Sequence, residues 1–477
     1  INVEYDSMLE AKTAPFVDKY GVEVPLEEYS PKDQKAYKKA VKSTNDERMR
    51  VLTDLEAMRD MLLHKYAEPT DPASLWHRAG KRARELNYMT SLGAMMLASI
   101  PDIGSAVVRV GLGNMAAATK KLALSPEMRK MAKTDLNSAG VALDSVLHTR
   151  QNALGMLNES YSGQSKFDNI MKSGQVNFTK ATGMPYWNGM LKSWAGTGVM
   201  HRIGKLVHKE NLTMRDKQYI ASLRIPEDDW AKIAENWKRT GSDEQGLHSP
   251  NMRDEFGTLD WDVRSERLLS AAVLKEADSA IVTPGVGDIP LFARTGPGKI
   301  IFQFKTFMMT AHNKLFLPGI QKAGYDPNVA FGTTMMVGLG VLSYTLKELA
   351  AGREISDDWE TLVREGVDKS GVFALPMYAN NITEKLTQGN VSLLPLPKGP
   401  PITQYQSRSV LGDLLGPSWG TANDARQSVA GIVDAISTGE LSPSTVKATR
   451  RLMPYQNHFV LRRSAFDTAQ DAINEEL

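Results

Sequence analysis

The sequence predicts an all-α protein: a mostly helical, elongated multi-helix assembly unit interrupted by an extended proline-rich linker. Three observations predict it. A polar residue followed by proline recurs at Ser30-Pro31, Asp71-Pro72, Ser125-Pro126, Asp326-Pro327 and Ser442-Pro443. Apolar residues recur every three or four positions over long stretches. Alternating strand patterns joined by hairpin turns are scarce.

Each polar–proline pair reads as a helix start. The polar side chain accepts a hydrogen bond from a first-turn amide that has no helical partner, and proline has no amide to lose there. The opening INVEYDSMLEAK has neither a basic region nor an apolar one, so it does not read as a signal peptide. Because it begins at Ile1, the chain is expected to be processed or part of a longer polypeptide. From Pro31 to about Ala67 no Gly or further Pro intervenes, and Leu52, Leu55, Met58, Leu62 and Tyr66 trace one face of a long amphipathic helix. After Ser125, the residues Met128, Met131, Leu136, Val141, Leu143 and Leu147 predict another helix, broken near Gly140. Ser356, followed by Asp357, Asp358 and Glu360, places acid where a helix N-terminus favours it.

Irregular stretches divide the chain. Residues 393–417 hold LPLPKGPP, which proline forces into extended backbone. Residues 240–258 are rich in Gly, Ser, Asp and Asn, and residues 283–299 read TPGVGDIPLFARTGPGK. The expected parts are an N-terminal helical segment (1–75), a helical domain with apolar and basic stretches (76–240), and a helical domain around a charge-free helix (241–392). The linker (393–417) and a C-terminal helical segment (418–477) complete it.

Composition narrows the function. The chain has 477 residues, with 57 Lys plus Arg against 55 Asp plus Glu, so it is no strongly basic nucleic-acid coat. The absence of cysteine excludes disulfides, Cys-ligated zinc, iron–sulfur clusters and thiol nucleophiles. Its 23 Met suit adaptable apolar surfaces.

Residues 329–346 (VAFGTTMMVGLGVLSYTL) carry no charge, and as a helix would run about 27 Å, near the thickness of a bilayer core. Gly332, Gly338 and Gly340 would admit a close neighbour. The segment reads either as a buried helix of a large assembly or as one that inserts into a membrane. Val329, Met335, Val337, Gly338 and Leu342 are its candidate membrane or interface residues. Residues 86–101 (LNYMTSLGAMMLASIP), beside the basic RAGKRARE, are cut short by Pro101 and read as a core helix. The Met and aromatic runs at 183–199 and 300–317 read as core or as an oligomer interface.

Catalytic constellations are weak. Gly111-Leu-Gly113-Asn-Met-Ala116, with Asp135 further on, has the form of a dinucleotide loop but lacks a second strand. Gly416-Pro-Ser418-Trp-Gly420, followed by Asp424, Asp434 and His458, has the order of a hydrolase triad but follows a linker instead of a core strand. Glu159-Ser160 resembles the Glu-Ser of lytic transglycosylases without their downstream motif. His201 and His208 could share a helix face, with no third ligand evident. No catalytic residue, cofactor or metal is therefore expected. Residues 120–210 hold thirteen Lys/Arg against six Asp/Glu, and residues 441–466 hold five and no acid. Lys120, Lys121, Arg129, Lys130, Arg450, Arg451, Arg462 and Arg463 are the candidate contacts to DNA phosphates.

Five stretches, in this order, resemble the large internal virion proteins of short-tailed bacteriophages, which share a large polyvalent-protein-associated region. They are YMTSLGAMMLASIPDIGSAV (88–107), PYWNGMLKSWAGTGVMHRIG (185–204), IVTPGVGD (281–288), GKIIFQFKTF (298–307) and LMPYQNHFVLRRSAF (452–466). The resemblance spans 76–466. It implies a structural protein held inside the capsid near the portal and ejected ahead of the genome. In the host envelope such proteins form a conduit for DNA. Implied partners are copies of itself in a ring or tube, other ejection proteins, the portal or tail, double-stranded DNA without sequence preference, and the host membrane. A longer parent chain would carry any transglycosylase or RNA polymerase elsewhere. The alternatives are an enzymatic domain, peptidoglycan-cleaving or nucleotide-binding, and a membrane-active effector.

Overall fold

Ser30, Asp326 and Ser442 each cap a helix that begins at the following proline, and their side chains accept from the amides of Asp33, Asn328 and Thr445. Pro72 and the Ser125-Pro126 pair lie outside the described residues, as does nearly all of the helix expected after Ser125. The computed structural model describes residues 2–20, 24–63, 65–69, 71, 74–124, 136, 166–244, 247–253, 258–324, 326–396, 412 and 415–476. Among these the architecture is all-α, and the only strands form one short antiparallel hairpin, β1 (Ser242–Glu244) with β2 (Leu247–Ser249). That hairpin falls inside the irregular stretch 240–258.

The chain divides into two compact units, Ile1–Glu68 and Pro69–Leu477. The first is a helical hairpin of α1 (Asn2–Tyr20) and α2 (Pro31–Leu62). Polar bonds fasten it, Lys12 to Thr44 and Arg48 to Asp6, together with the stacked rings of Tyr20 and Tyr29, 4.2 Å apart. Part of the apolar face expected along α2 stays uncovered: Leu55, Met58 and Leu62 are exposed.

The second unit contains α3 (Leu75–Ser91), α4 (Asp102–Val110), α5 (Leu112–Leu124), α6 (Lys166–Ala181), α7 (Met184–Val207), α8 (Met214–Ser222), α9 (Glu227–Thr240) and α10 (Val263–Ala280). After them come α11 (Leu317–Ala323), α12 (Pro327–Ala350), α13 (Trp359–Ser370), α14 (Ala374–Leu386), α15 (Pro417–Thr438), α16 (Pro443–Arg451) and α17 (Thr468–Glu476). The cuts expected at 240 and 417 separate no compact bodies, because the core interleaves the segments. Helix α10 packs on α7, and α15 on α3.

Helix α7 is the spine. Val199, Ile203 and Leu206 join Ile233 and Trp237 of α9 and Leu269 and Val273 of α10 in the main core. Burying a side chain of this size contributes roughly 1.5–3 kcal/mol. The segment 86–101 contributes to the core, but not as the single helix expected: α3 ends at Ser91 and a separate short helix follows at Met95–Ala98, with Tyr88, Met89 and Met95 buried and Tyr88 edge to face with Phe178. Methionine fills much of the interior, including Met115, Met184, Met200, Met252, Met308, Met336 and Met377.

Candidate functional site

Helix α12 is the one described helix that is by itself long and apolar enough to cross a membrane, and only a third of its apolar window is buried. Glycines set its packing. A side-chain carbon on Gly332 would meet Val108 of α4 at 2.5 Å, and one on Gly340 would meet the Gly366 carbonyl of α13 at 2.2 Å. From the partner helices, Gly104 approaches Met336 and Gly366 approaches Val337 and Val341 in the same way. Two of the three glycines singled out in this segment thus admit neighbours. The third, Gly338, faces open space.

The candidate residues of α12 fall on different faces. Val329 is buried, Met335 and Val337 are half-buried, and Gly338 and Leu342 are exposed. Phe331, Leu342 and Leu349 form an exposed apolar stripe, 44–52% accessible. Beside it, α13 is turned inside out. Its exposed residues include Trp359 and Val363, whereas Arg364, Glu365, Asp368 and Lys369 are buried.

These buried charges are compensated. Arg364 bonds Glu384 of α14 at 2.5 Å and Asn381 at 3.1 Å, and Asn380 donates to Glu384 at 3.0 Å. Burial pushes the Glu384 carboxyl up, and the bonds from Arg364 and Asn380 more than offset this, leaving it below the usual range. Lys369 stands 2.9 Å from both Glu365 and Asp368. Burial disfavours its ammonium, but the two acids prevail and hold it above the ordinary lysine value. A buried charge left alone costs several kcal/mol, so each partner here is needed for the others.

The candidate DNA contacts divide similarly. Lys120 and Arg463 are exposed. Arg450 is bound by Asp467 at 2.5 Å and by Gln470, Arg451 by Asp424 at 3.1 Å, and Arg462 lies 3.8 Å from Asp467. Asp467 directly follows the acid-free stretch 441–466, and Asp424 is brought to it from α15, so the fold supplies at Arg451 what the local sequence lacks. Arg129 and Lys130 lie outside the described residues, and for Lys121 only the backbone is described.

The weak catalytic motifs come apart. Gly111, at φ 98°, turns α4 into α5 with no strand on either side, so the glycine loop has no dinucleotide fold beneath it. Ser418 lies in the first turn of α15 and accepts from Asn87, while His458 contacts the Ala181 carbonyl and Asp424 pairs with Arg451. Asp135, Glu159 and Ser160 lie outside the described residues.

His201 of α7 and His208, which caps that helix, both meet a third histidine that the fold brings. His248 of β2 stacks on both, with ring centres 5.3 and 5.1 Å away. Gly204 permits this, since a side-chain carbon there would stand 2.2 Å from the His248 Cβ. Stacked rings do not converge on one point. Among the described residues, no group of three His, Asp or Glu is placed to hold a metal.

Sequence reasoning missed one charged cluster. Arg109 of α4 grips Glu276 of α10 with two bonds, 2.8 and 3.1 Å, and its carbonyl accepts from Arg202 of α7 at 3.0 Å. The Arg202 guanidinium lies 3.5 Å over the ring of Tyr219 of α8. These residues span 167 positions in no recognisable spacing. No family model matches the chain, and no curated protein or solved structure is significantly similar to it.

Proposed function

We propose that this chain is a structural internal virion protein of a short-tailed bacteriophage, ejected into the host and assembled there into part of a conduit for genome delivery. The inside-out pairing of α12 and α13 carries the proposal. Phe331, Leu342, Leu349, Trp359 and Val363 are exposed while Arg364, Glu365, Asp368 and Lys369 are buried. In water this arrangement is unfavourable on both counts. It suits a protein whose α12–α13 surface ends against lipid or against neighbouring subunits, with its charges turned inward as in membrane-embedded bundles. The five stretches that resemble ejection proteins support the same reading. The absence of cysteine fits passage between compartments without disulfide exchange.

Two measurements test it together. Mass spectrometry of purified virions should find the chain. Added to liposomes containing anionic lipid, the purified protein should cofloat with them, with residues 327–350 protected from protease. Absence from virions, combined with no liposome association, would sink the proposal.

A further inference from the structure

We propose that α15 pairs antiparallel with the α15 of a second copy of this chain, through Val429, Ile432, Val433 and Ile436. This does not rest on the ejection reading. The pairing is two-fold and closes on itself, unlike the ring or tube that the resemblance implies.

The face that α15 turns to its own unit is small and polar. Asp424, Ser428, Gly431 and Ala435 recur every three or four positions and so share that face. Asp424 pairs with Arg451 of α16, Ser428 bonds Thr449 at 2.6 Å, and Gly431 leaves no room for a side chain against Thr445. The large residues lie on another face. Val429, Ile432, Val433 and Ile436 form one stripe and are 42–81% accessible. At about 100° per residue the two faces stand roughly a third of a turn apart. Rolling α15 to bury the stripe against α16 would therefore break the Asp424 and Ser428 bonds. All four stripe residues are β-branched, so packing them costs little rotamer freedom. A contiguous apolar stripe left in water marks an interaction surface.

Charge selects the occupant. Within α15 stand Asp424, Arg426 and Asp434, and Glu440 follows its end. A helix that lies on anionic lipid is rich in Lys and Arg instead. Arg426 precedes Val429 by three residues, and Glu440 follows Ile436 by four. Both are exposed, and neither side chain is bonded among the described residues. The stripe thus carries opposite charges at its two ends, nearly equidistant from its centre between Ile432 and Val433. Antiparallel pairing about that centre sets each Arg426 beside Glu440 of the other copy. Parallel pairing would set like charge on like. Glu440 also sits just past the C-terminal end of α15, where the helix dipole disfavours an acid, and an arginine from the second copy offsets this.

Sedimentation equilibrium of the intact chain without lipid tests the pairing. Wild type should self-associate to a dimer. Val433→Asp, at an exposed position, should leave the melting temperature nearly unchanged and yield monomer. Arg426→Glu and Glu440→Arg should each raise the dimer dissociation constant at least about tenfold, because each sets like charges together. The double variant carrying both should recover the wild-type constant, and Leu342→Asp, on α12, should leave it unchanged. A monomeric wild type overturns the proposal; if that protein also loses liposome association on Val433→Asp, the stripe belongs to lipid. A dimer that survives Val433→Asp, or is lost with Leu342→Asp, places the contact elsewhere and overturns it too. Single charge variants that dimerise like wild type, or a double variant that does not recover, overturn the antiparallel arrangement. The charge variants alter exposed side chains with no bond in the fold, so they decide the matter even if Val433→Asp misfolds.

Discussion

Gly340 and Gly366 meet with no room for a side chain between them: a Cβ on Gly340 would stand 2.2 Å from the Gly366 carbonyl oxygen. Two residues without side chains thus bring α12 and α13 into backbone contact. The same contact points the α13 charges inward and leaves the outer stripe of α12 bare.

Gly340→Ala should therefore destabilise the fold by about 1–3 kcal/mol, because the helices must separate to admit one methyl. Gly338→Ala is the control. Nothing lies within 4 Å of its added carbon, and removing a helical glycine should stabilise by roughly 0.5–1 kcal/mol. Urea denaturation of both variants checks the pair. Equal midpoints would mean that α12 and α13 do not touch here.

Val337→Asp and Leu342→Asp separate packing from surface function. Val337 stands against Gly366, and Leu342 is 44% exposed. An unpaired carboxylate at Val337 should cost several kcal/mol of stability and, on the proposed ejection function, lower DNA delivery by loss of the protein. Leu342→Asp should leave the melting temperature nearly unchanged and reduce liposome association, since a charge at the centre of an inserted helix costs about 2.5–3.5 kcal/mol. If Leu342→Asp leaves association intact, the exposed stripe does not meet lipid.

Removing Glu384 strands Arg364 in the interior. Glu384→Gln should cost about 3–5 kcal/mol at neutral pH, as for other broken buried pairs. The pH dependence has a definite sign. The folded carboxyl lies below the usual range, so its contribution is complete above the unfolded value, about 4.3, and is lost as pH falls through the folded value. Chemical denaturation from neutral to acid pH should show the gap between wild type and Glu384→Gln closing only at the acid end. A gap that is constant throughout would mean that Glu384 is not ionised in the fold.

The basic residues give opposite expectations. Exposed Lys120 and Arg463, if they touch DNA phosphates, should each reduce the slope of log affinity against log salt by about 1 when changed to Ala. Arg450→Ala and Arg451→Ala should instead lower the melting temperature, because Asp467 loses its nearer cation and Asp424 its partner. Unchanged slopes for Lys120→Ala and Arg463→Ala would remove both from any DNA surface.

Much of the fold was legible locally. Ser30, Asp326 and Ser442 announced their helices, because a cap acts within three residues of itself. The length and charge-free character of α12 could be read directly, as could the core role of 86–101, because composition over one helix reports what it can bury. Gly204 between His201 and His208 was visible too, but its meaning was not, since His248 arrives from 40 residues away.

By itself, then, the sequence determined the all-α class, several helix starts and which segment is apolar enough to meet a membrane, all consequences of contacts between near neighbours. Tertiary structure decided which of Gly332, Gly338 and Gly340 are contacts, that α13 hides its charges, that Arg450 and Arg451 are held by acids, and that Arg109, Arg202, Tyr219 and Glu276 meet. Those depend on pairs far apart in the chain, whose meeting is set by how helix surfaces interlock, and no spacing along one segment encodes it.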